Sequence, residues 1–257
     1  MSPSESPAAL LVPMLDFARE FEDETNLWFD SDHVPERLSC DGIEFCERFQ
    51  LTDVEPIGWN PGQRWMKYLN FYTLRSLDVL ESEAYALQRD MNDGRGTAWR
   101  QLREERSRAV VRPSPMRSLR TSWTRRERTW SAPVVEQQGA RVILVALRPH
   151  GGDRDQDANA YLDERLIPEL LHLAGVLGVE RYQAAGSLAA AGPRLGQATQ
   201  PEYMDIVELA TPEVATSGAY RRFVGSLDVA PAIRAALTPV GTGVYQQRPS
   251  PWRLSVR

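Results

Sequence analysis

The sequence predicts an α+β protein made of two tandem copies of one βαββαβ unit. Three observations carry this. Residues 28–49, WFDSDHVPERLSCDGIEFCERF, overlay residues 161–182, YLDERLIPELLHLAGVLGVERY, at a constant offset of 133 with no gap. Residues 67–74, KYLNFYTL, overlay 202–209, EYMDIVEL, at an offset of 135, which also lays Ser82, Ala84 and Tyr85 on Ser217, Ala219 and Tyr220. In both copies the hydrophobic period switches between strand-like and helix-like in the same order.

The elements follow from these periods. Copy one opens with ALLVPMLDF and copy two with RVILVALRP, short apolar runs of the kind buried strands use. Helical stretches follow, at about 18–38 and 158–173. Pro35 and Pro168 fall in their last turns and should bend or loosen them, because proline has no N–H to give. Gly42 and Gly175 suit a turn with positive φ. Strand two is expected at 43–51 and 176–184, strand three at 65–74 and 202–210, and a second helix at 76–91 and 213–224. A fourth strand is expected at 119–127 and 241–247. The βαββαβ order is the ferredoxin-like one. One such sheet, with both helices on one face, leaves its other face bare. Two in one chain can bury those faces against each other, giving an intrachain pseudo-dimeric α+β barrel. The expected division is a disordered stretch at 1–9, a first repeat at 10–132 with an Arg-rich insertion, and a second, degenerate repeat at 133–257.

Composition narrows the function classes. With 257 residues, 42% hydrophobic and 25% charged, the chain can bury a full core. A net charge of −5 gives no global attraction to nucleic acid or an anionic membrane. No run approaches the roughly 18 apolar residues of a membrane helix. MSPSESPAA lacks the positive start of a signal peptide. The two cysteines, Cys40 and Cys46, fit no common metal spacing and point to a reducing, cytoplasmic setting. Residues 92–131 hold eleven arginines together with Trp99, Trp123 and Trp130. Read as a solvated helix, TAWRQLREERSR, and an outward-facing strand four, SLRTSWTRRERTW, they balance acidic EFEDE and do not form a nucleic-acid surface.

Candidate chemistry concentrates in copy one. His33, which titrates near neutral pH, is the candidate general acid or base, and its counterpart in copy two is Leu166. On a helical wheel it lies beside Phe29, near Asn26 and Arg37, at the edge of an apolar face built from Leu27, Val34 and Leu38. Its alternative role is a boundary histidine bonded to backbone. Strict alternation in strand three puts Tyr68, Asn70 and Tyr72 on one face. With Leu69 and Phe71 assigned to the core under the helices, the Tyr-Asn-Tyr face would line the barrel and orient a substrate. Tyr68 and Asn70 join His33 as candidate catalytic residues. Trp28, Phe29, Arg48, Tyr72 and Trp123 are candidate substrate contacts. Arg48 recurs as Arg181, which favours a structural salt bridge. A cavity is expected in the first repeat, larger than any in the second. His150 is read as a solvated turn residue and His172 as a helix-end cation. Asp153, Asp155 and Asp157 lack the rest of a calcium loop. No metal site is expected.

EFEDETNLWFDSDHVPERLSCDGIEFCERF and KYLNFYTL resemble the dimeric α+β barrel superfamily, most closely its EthD-like members, whose first helix ends in Tyr/Phe-x-x-x-His-x-Pro before Pro-Gly. Phe29, His33, Pro35 and Gly42 match, while Asp41 stands in place of the proline. The superfamily includes cofactor-free oxygenases, cyclases, isomerases, lyases and haem enzymes. The resemblance implies an enzyme of the lyase, cyclase, isomerase or monooxygenase kind, suited to secondary metabolism. It would act on an apolar or aromatic, oxygen-bearing small molecule by acid/base chemistry without a cofactor, as a monomer or homodimer. The alternatives are a non-catalytic small-molecule binding or accessory protein, or a haem protein. In haem-degrading relatives the ligand histidine tends to lie on the second helix. Both second helices of this chain lack one, leaving His33 as the candidate axial ligand.

Overall fold

The computed structural model describes residues 9–17, 19–57, 65–94, 107–120, 140–184 and 202–249. Strands β1 (Ala9–Phe17), β2 (Ile43–Leu51), β3 (Tyr68–Leu74) and β4 (Ser107–Arg120) belong to the first repeat. Strands β5 (Val142–Arg148), β6 (Val176–Ala184), β7 (Tyr203–Leu209) and β8 (Gly241–Gln247) belong to the second. They close into one antiparallel barrel in the order β1-β3-β2-β8-β5-β7-β6-β4. Each repeat has the internal order fourth-first-third-second, and both seams join the second strand of one repeat to the fourth of the other. That is the arrangement a pseudo-twofold axis gives. Residues 1–8 lie outside the described region, and Ala9, expected in a disordered start, is the buried first residue of β1.

Strands β3, β5 and β7 are buried along their whole length, because one face packs under helices and the other closes the barrel. The lumen is filled by Leu10, Val12, Met14, Phe49, Leu69 and Phe71 from the first repeat, against Ile143, Val145, Leu147, Met204, Ile206 and Tyr245 from the second. The expectation for β3 is therefore inverted. Leu69 and Phe71 face the lumen, while Tyr68 and Tyr72 pack under the helices with Phe17, Phe29, Val34 and Cys46. Alternation fixes which residues share a face, but not which face is which when both are buried.

The long helix of each repeat is interrupted at the same place. Helix α1 (Glu22–Trp28) passes through a π-helical turn, Phe29–His33, into α2 (Val34–Leu38). In the second repeat α4 (Asp155–Tyr161) passes through Leu162–Leu166 into α5 (Ile167–Leu171). Val34 N–H donates to the Phe29 carbonyl and Ile167 N–H to that of Leu162, each spanning five residues. Pro35 and Pro168 follow immediately and cannot donate, so the turn loosens there as expected. The extra residue rephases the helix. Thr25, Asn26, Phe29 and Val34 are buried, whereas Leu27, placed on the apolar face by a uniform wheel, is 67% exposed.

The junctions after these helices repeat as well. Gly42 has φ +90° and Gly175 φ +87°, and a Cβ would sit 2.4 Å from Val79 or 2.5 Å from Val214. Their carbonyls accept Arg75 N–H and Ala210 N–H. Ser82 and Ser217 cap α3 (Glu83–Gly94) and α6 (Gly218–Ser226), each accepting an N–H at 3.1 Å from Tyr85 or Tyr220. A further helix, α7 (Pro231–Leu237), precedes β8. In the first repeat the fourth strand runs 107–120, not 119–127. Its sequence carries Pro113 and Pro115, which by themselves disfavour a strand. Its register against β1 slips between Val12 and Met14, the kind of irregularity that admits proline. The helix expected over TAWRQLREERSR lies outside the described residues except Ser107 and Arg108, which open β4.

Candidate functional site between sheet and helices

Both repeats build the same polar frame under the long helix. In the first, Arg48 is fully buried and donates to Asp30, to the Asn26 carbonyl (3.3 Å) and side chain (2.6 Å), and through Nε to Asn70 Oδ1 (3.2 Å). Its guanidinium lies 4.9 Å from the Phe29 ring. In the second, Arg181 bonds Asp163, Asn159 (2.5 Å) and Asp205 (3.1 Å). The Tyr68 hydroxyl donates to Glu22, as Tyr203 does to Asp155 at 2.5 Å. Burial and the Glu22 bond push the Tyr68 phenol up, and the same causes push Tyr203 up to about 12. Glu22 and Asn159 were not singled out from sequence, Asn26 was noted only as a neighbour of His33, and Asp155 only within an incomplete calcium-loop spacing. The 133-residue register, extended a few positions upstream, contains both pairs.

The frames differ in one exchange of charge. Where the first repeat has Asn70 and Leu15, the second has Asp205 and Arg148. Arg148 Nε donates to Asp205 at 2.5 Å, and Arg181 shares the same carboxylate. Burial works to raise the Asp205 pKa, but the two guanidinium groups hold it below the usual carboxylate range. A carboxylate added at a buried site requires a cation, and Arg148 supplies it.

A second difference concerns polar groups present in copy one alone. Asn70 Nδ2, Thr25 Oγ1 and Arg37 Nη1 are buried and make no hydrogen bond among the described residues. Their counterparts are Asp205, which is fully engaged, and the apolar Ala158 and Leu170. Tyr72, opposite Val207, lies with its hydroxyl beside the Cys46 thiol, and burial keeps that phenol protonated well above its ordinary range. Arg37 stacks over the Tyr85 ring at 5.5 Å and also acts electrostatically on Tyr72.

His33 is half-buried in the π turn, with its ring 4.7 Å from Trp28 and 4.9 Å, edge-on, from Phe29. The structure thus brings His33, Trp28 and Phe29 together, and sets Arg48, Asn70, Tyr68 and Tyr72 on the sheet beneath the same helix. Trp123 lies outside the described residues. The cleft found among the described residues is on the second repeat, along α4, lined by Asp153, Asp155, Gln156, Asn159, Asp163 and Glu164. Beneath the helix of the first repeat Phe17 packs against Phe29 and Tyr68. His150 Nδ1 accepts the Gly152 N–H in its turn. Among the described residues no group of three His, Cys, Asp or Glu side chains is placed to hold a metal ion. No helix there is long and apolar enough to cross a membrane.

The chain has the fold of the dimeric α+β barrel superfamily. An anthrone oxidase-like protein matches at TM-score 0.63 and 13% identity, over 97% of this chain and 94% of its own. A variant chlorite dismutase from Candidatus Nitrospira defluvii, in complex with cyanide, matches at 0.55 and 12%, over 98% and 95%. A candidate monooxygenase from Fusobacterium nucleatum matches at 0.50 and 6%, over 95% and 92%. No family model and no curated protein matches, so the EthD-like likeness rests on the Phe29, His33, Pro35 and Gly42 pattern.

The expectation that no cofactor is used is overturned by these neighbours, because the chlorite dismutases are haem-binding proteins of the same fold. The described residues do not fit haem. His33, the candidate axial ligand, has its ring packed against Trp28 and Phe29, and the cleft on α4 is lined by carboxylates and amides without a histidine.

Proposed function

We propose that the chain is a small-molecule enzyme of the oxygenase type, acting in its first repeat on an aromatic, oxygen-bearing substrate. The supporting observation is the asymmetry of the repeats. Thr25, His33, Arg37, Asn70 and Tyr72 face Ala158, Leu166, Leu170, Asp205 and Val207 across the pseudo-twofold axis, while the frame around them is shared. A fold that closes equally well without these groups has kept them in one half. His33 is the proton acceptor, and the partly buried Trp28 gives an aromatic substrate a surface to stack on. With an anthrone, His33 would take a proton from the ring methylene. The carbanion would pass its electrons to dioxygen, one oxygen entering a new carbonyl and the other leaving as water.

The test uses purified protein, 1,8-dihydroxyanthrone and an oxygen electrode. The reading expects one O₂ consumed per quinone formed, at a rate above the uncatalysed oxidation. Equal rates with and without protein would remove the anthrone reading. An absorption spectrum near the Soret region reads haem occupancy in the same sample.

A further inference from the structure

We infer that the cleft along α4 in the second repeat is a binding site for an elongated organic cation, a linear polyamine in chemical class. This site stands apart from the oxygenase reading, which concerns the first repeat. The cleft has a volume of about 840 Å³, within the range that small-molecule sites occupy, and its carboxylates are Asp153, Asp155, Asp163 and Glu164. Hydrogen bonds knit its floor into one frame. Asn159 donates to an Asp155 oxygen at 3.1 Å and accepts from Arg181, which also bonds one oxygen of Asp163. Burial works to raise the Asp155 pKa, but the bonds from Tyr203 and the Gly151 N–H, with His150 and Arg148 near, hold it below its ordinary value. That carboxylate is therefore charged at neutral pH. Asp153 and Glu164, at the two ends of the cleft, are exposed.

Charge decides the ligand class, and the first repeat shows what such a surface holds. Its counterpart positions carry Glu20, Glu22, Asp23 and Asp30, and as many cations stand around them: Arg19, Arg48, Lys67 and Arg248. Two of these reach the acids from outside the helix. Lys67 Nζ lies 2.5 Å from Glu22, and Arg248 Nη2 lies 3.9 Å from Asp30, with its guanidinium 5.6 Å from the Tyr68 ring. In the second repeat Glu202 replaces Lys67 and Gly152 replaces Arg19. Asp153, Asp155, Asp163, Glu164, Glu202 and Asp205 then have only Arg148, Arg181 and, 3.6 Å from Asp155, His150 among the described residues. The other cations of that helix are already paired, Arg154 with Asp157 at 3.0 Å and Arg165 with Glu169 at 3.8 Å. Ala160 lines the cleft where the first repeat has the larger Leu27. No three His, Cys, Asp or Glu side chains among the described residues converge on one ion. The acids instead run from 153 to 164, about 16 Å at 1.5 Å per residue. A compact ion or a single ammonium would meet one carboxylate at a time, whereas several ammonium groups on one chain meet them together.

The test titrates spermidine into the full chain by calorimetry at low salt, with Mg²⁺ as the compact-cation comparison and folding followed by circular dichroism. Glu164→Ser copies Ser31. Ala160→Leu with Glu164→Ser adds the side chain of Leu27, which is exposed in the first repeat. Glu83→Ser removes one exposed carboxylate from the first repeat and controls for overall charge. One spermidine should bind per chain. Binding should weaken about threefold in Glu164→Ser and at least about tenfold in the double variant, and stay within about 1.5-fold of the parent in Glu83→Ser. If the double variant unfolds, the single one decides. Equal losses in Glu83→Ser and Glu164→Ser overturn the site, because binding would then follow net charge. Mg²⁺ that displaces spermidine at equal concentration overturns the organic class. By register Arg120, opposite Arg181, takes the place beside it that Arg248 has beside Arg48. No spermidine binding by the parent overturns the site, and binding by Arg120→Ala alone would mean that the chain's own arginine fills the cleft.

Discussion

His33 and Leu166 occupy the same position in two junctions that share a π turn, a proline and a left-handed glycine. The backbone of the junction therefore forms with either residue. Replacing His33 by leucine should change unfolding free energy by less than about 1 kcal/mol and reduce anthrone turnover about 10²–10⁴-fold. Thermal melts and oxygen uptake on the same preparation check both halves. A collapse in melting temperature, or full activity, would return His33 to a boundary role. The glycines behave oppositely. Gly42→Ala forces a Cβ into Val79 at a positive φ and should cost at least about 1 kcal/mol in a urea titration. The repeat itself announced Gly42 and Pro35, because a residue that recurs at a junction in both copies answers to backbone geometry. It could not announce the orientation of the Asn70 amide, which is set by Arg48, a partner 22 residues away.

Among the elements, β3 with its counterpart β7 tests how charge is placed under a helix. Arg148 and Asp205 are a coupled pair, and the first repeat shows that leucine and asparagine serve in their stead. Arg148→Leu alone leaves a buried carboxylate dependent on Arg181, which also serves Asp163, and should cost about 3–5 kcal/mol. Arg148→Leu with Asp205→Asn should recover most of that loss, giving a favourable coupling in a double-mutant cycle read by denaturant unfolding. Additive losses would show that the two sites are independent. The pH dependence has a definite sign. The folded-state pKa of Asp205 is depressed, so its contribution is fully present above the unfolded value of about 3.9 and is lost as pH falls through the folded value. The double variant should therefore have a flatter acid limb in stability against pH. Strand two was legible to the residue in both copies, since a glycine turn and an apolar run bound it. Strand four of the first repeat was not. Its two prolines are tolerated by a register slip that involves a neighbouring strand, which no local pattern records.

At the scale of the whole molecule, neither repeat can satisfy its own sheet. Leu10, Val12, Met14, Phe49, Leu69 and Phe71 share one buried cluster with side chains of the other half, and each fully buried large side chain is worth about 1.5–3 kcal/mol. The seams add specific bonds. Arg141, just before β5, pairs at 2.5 Å with Glu47 of β2, and Gln247 of β8 donates to the same carboxylate at 2.8 Å. One chain thus does what two subunits do when such a barrel forms between copies, and the covalent link fixes a high effective concentration of the second half. Residues 1–139 and 140–257 expressed together as separate chains should assemble into a 1:1 complex. Either half expressed alone should homodimerise through its lumen face or aggregate. Size-exclusion chromatography with light scattering distinguishes these outcomes. A half that remains a stable, folded monomer would mean that the lumen face needs no cover, and burial of that face would then not be what holds two fused repeats in one barrel.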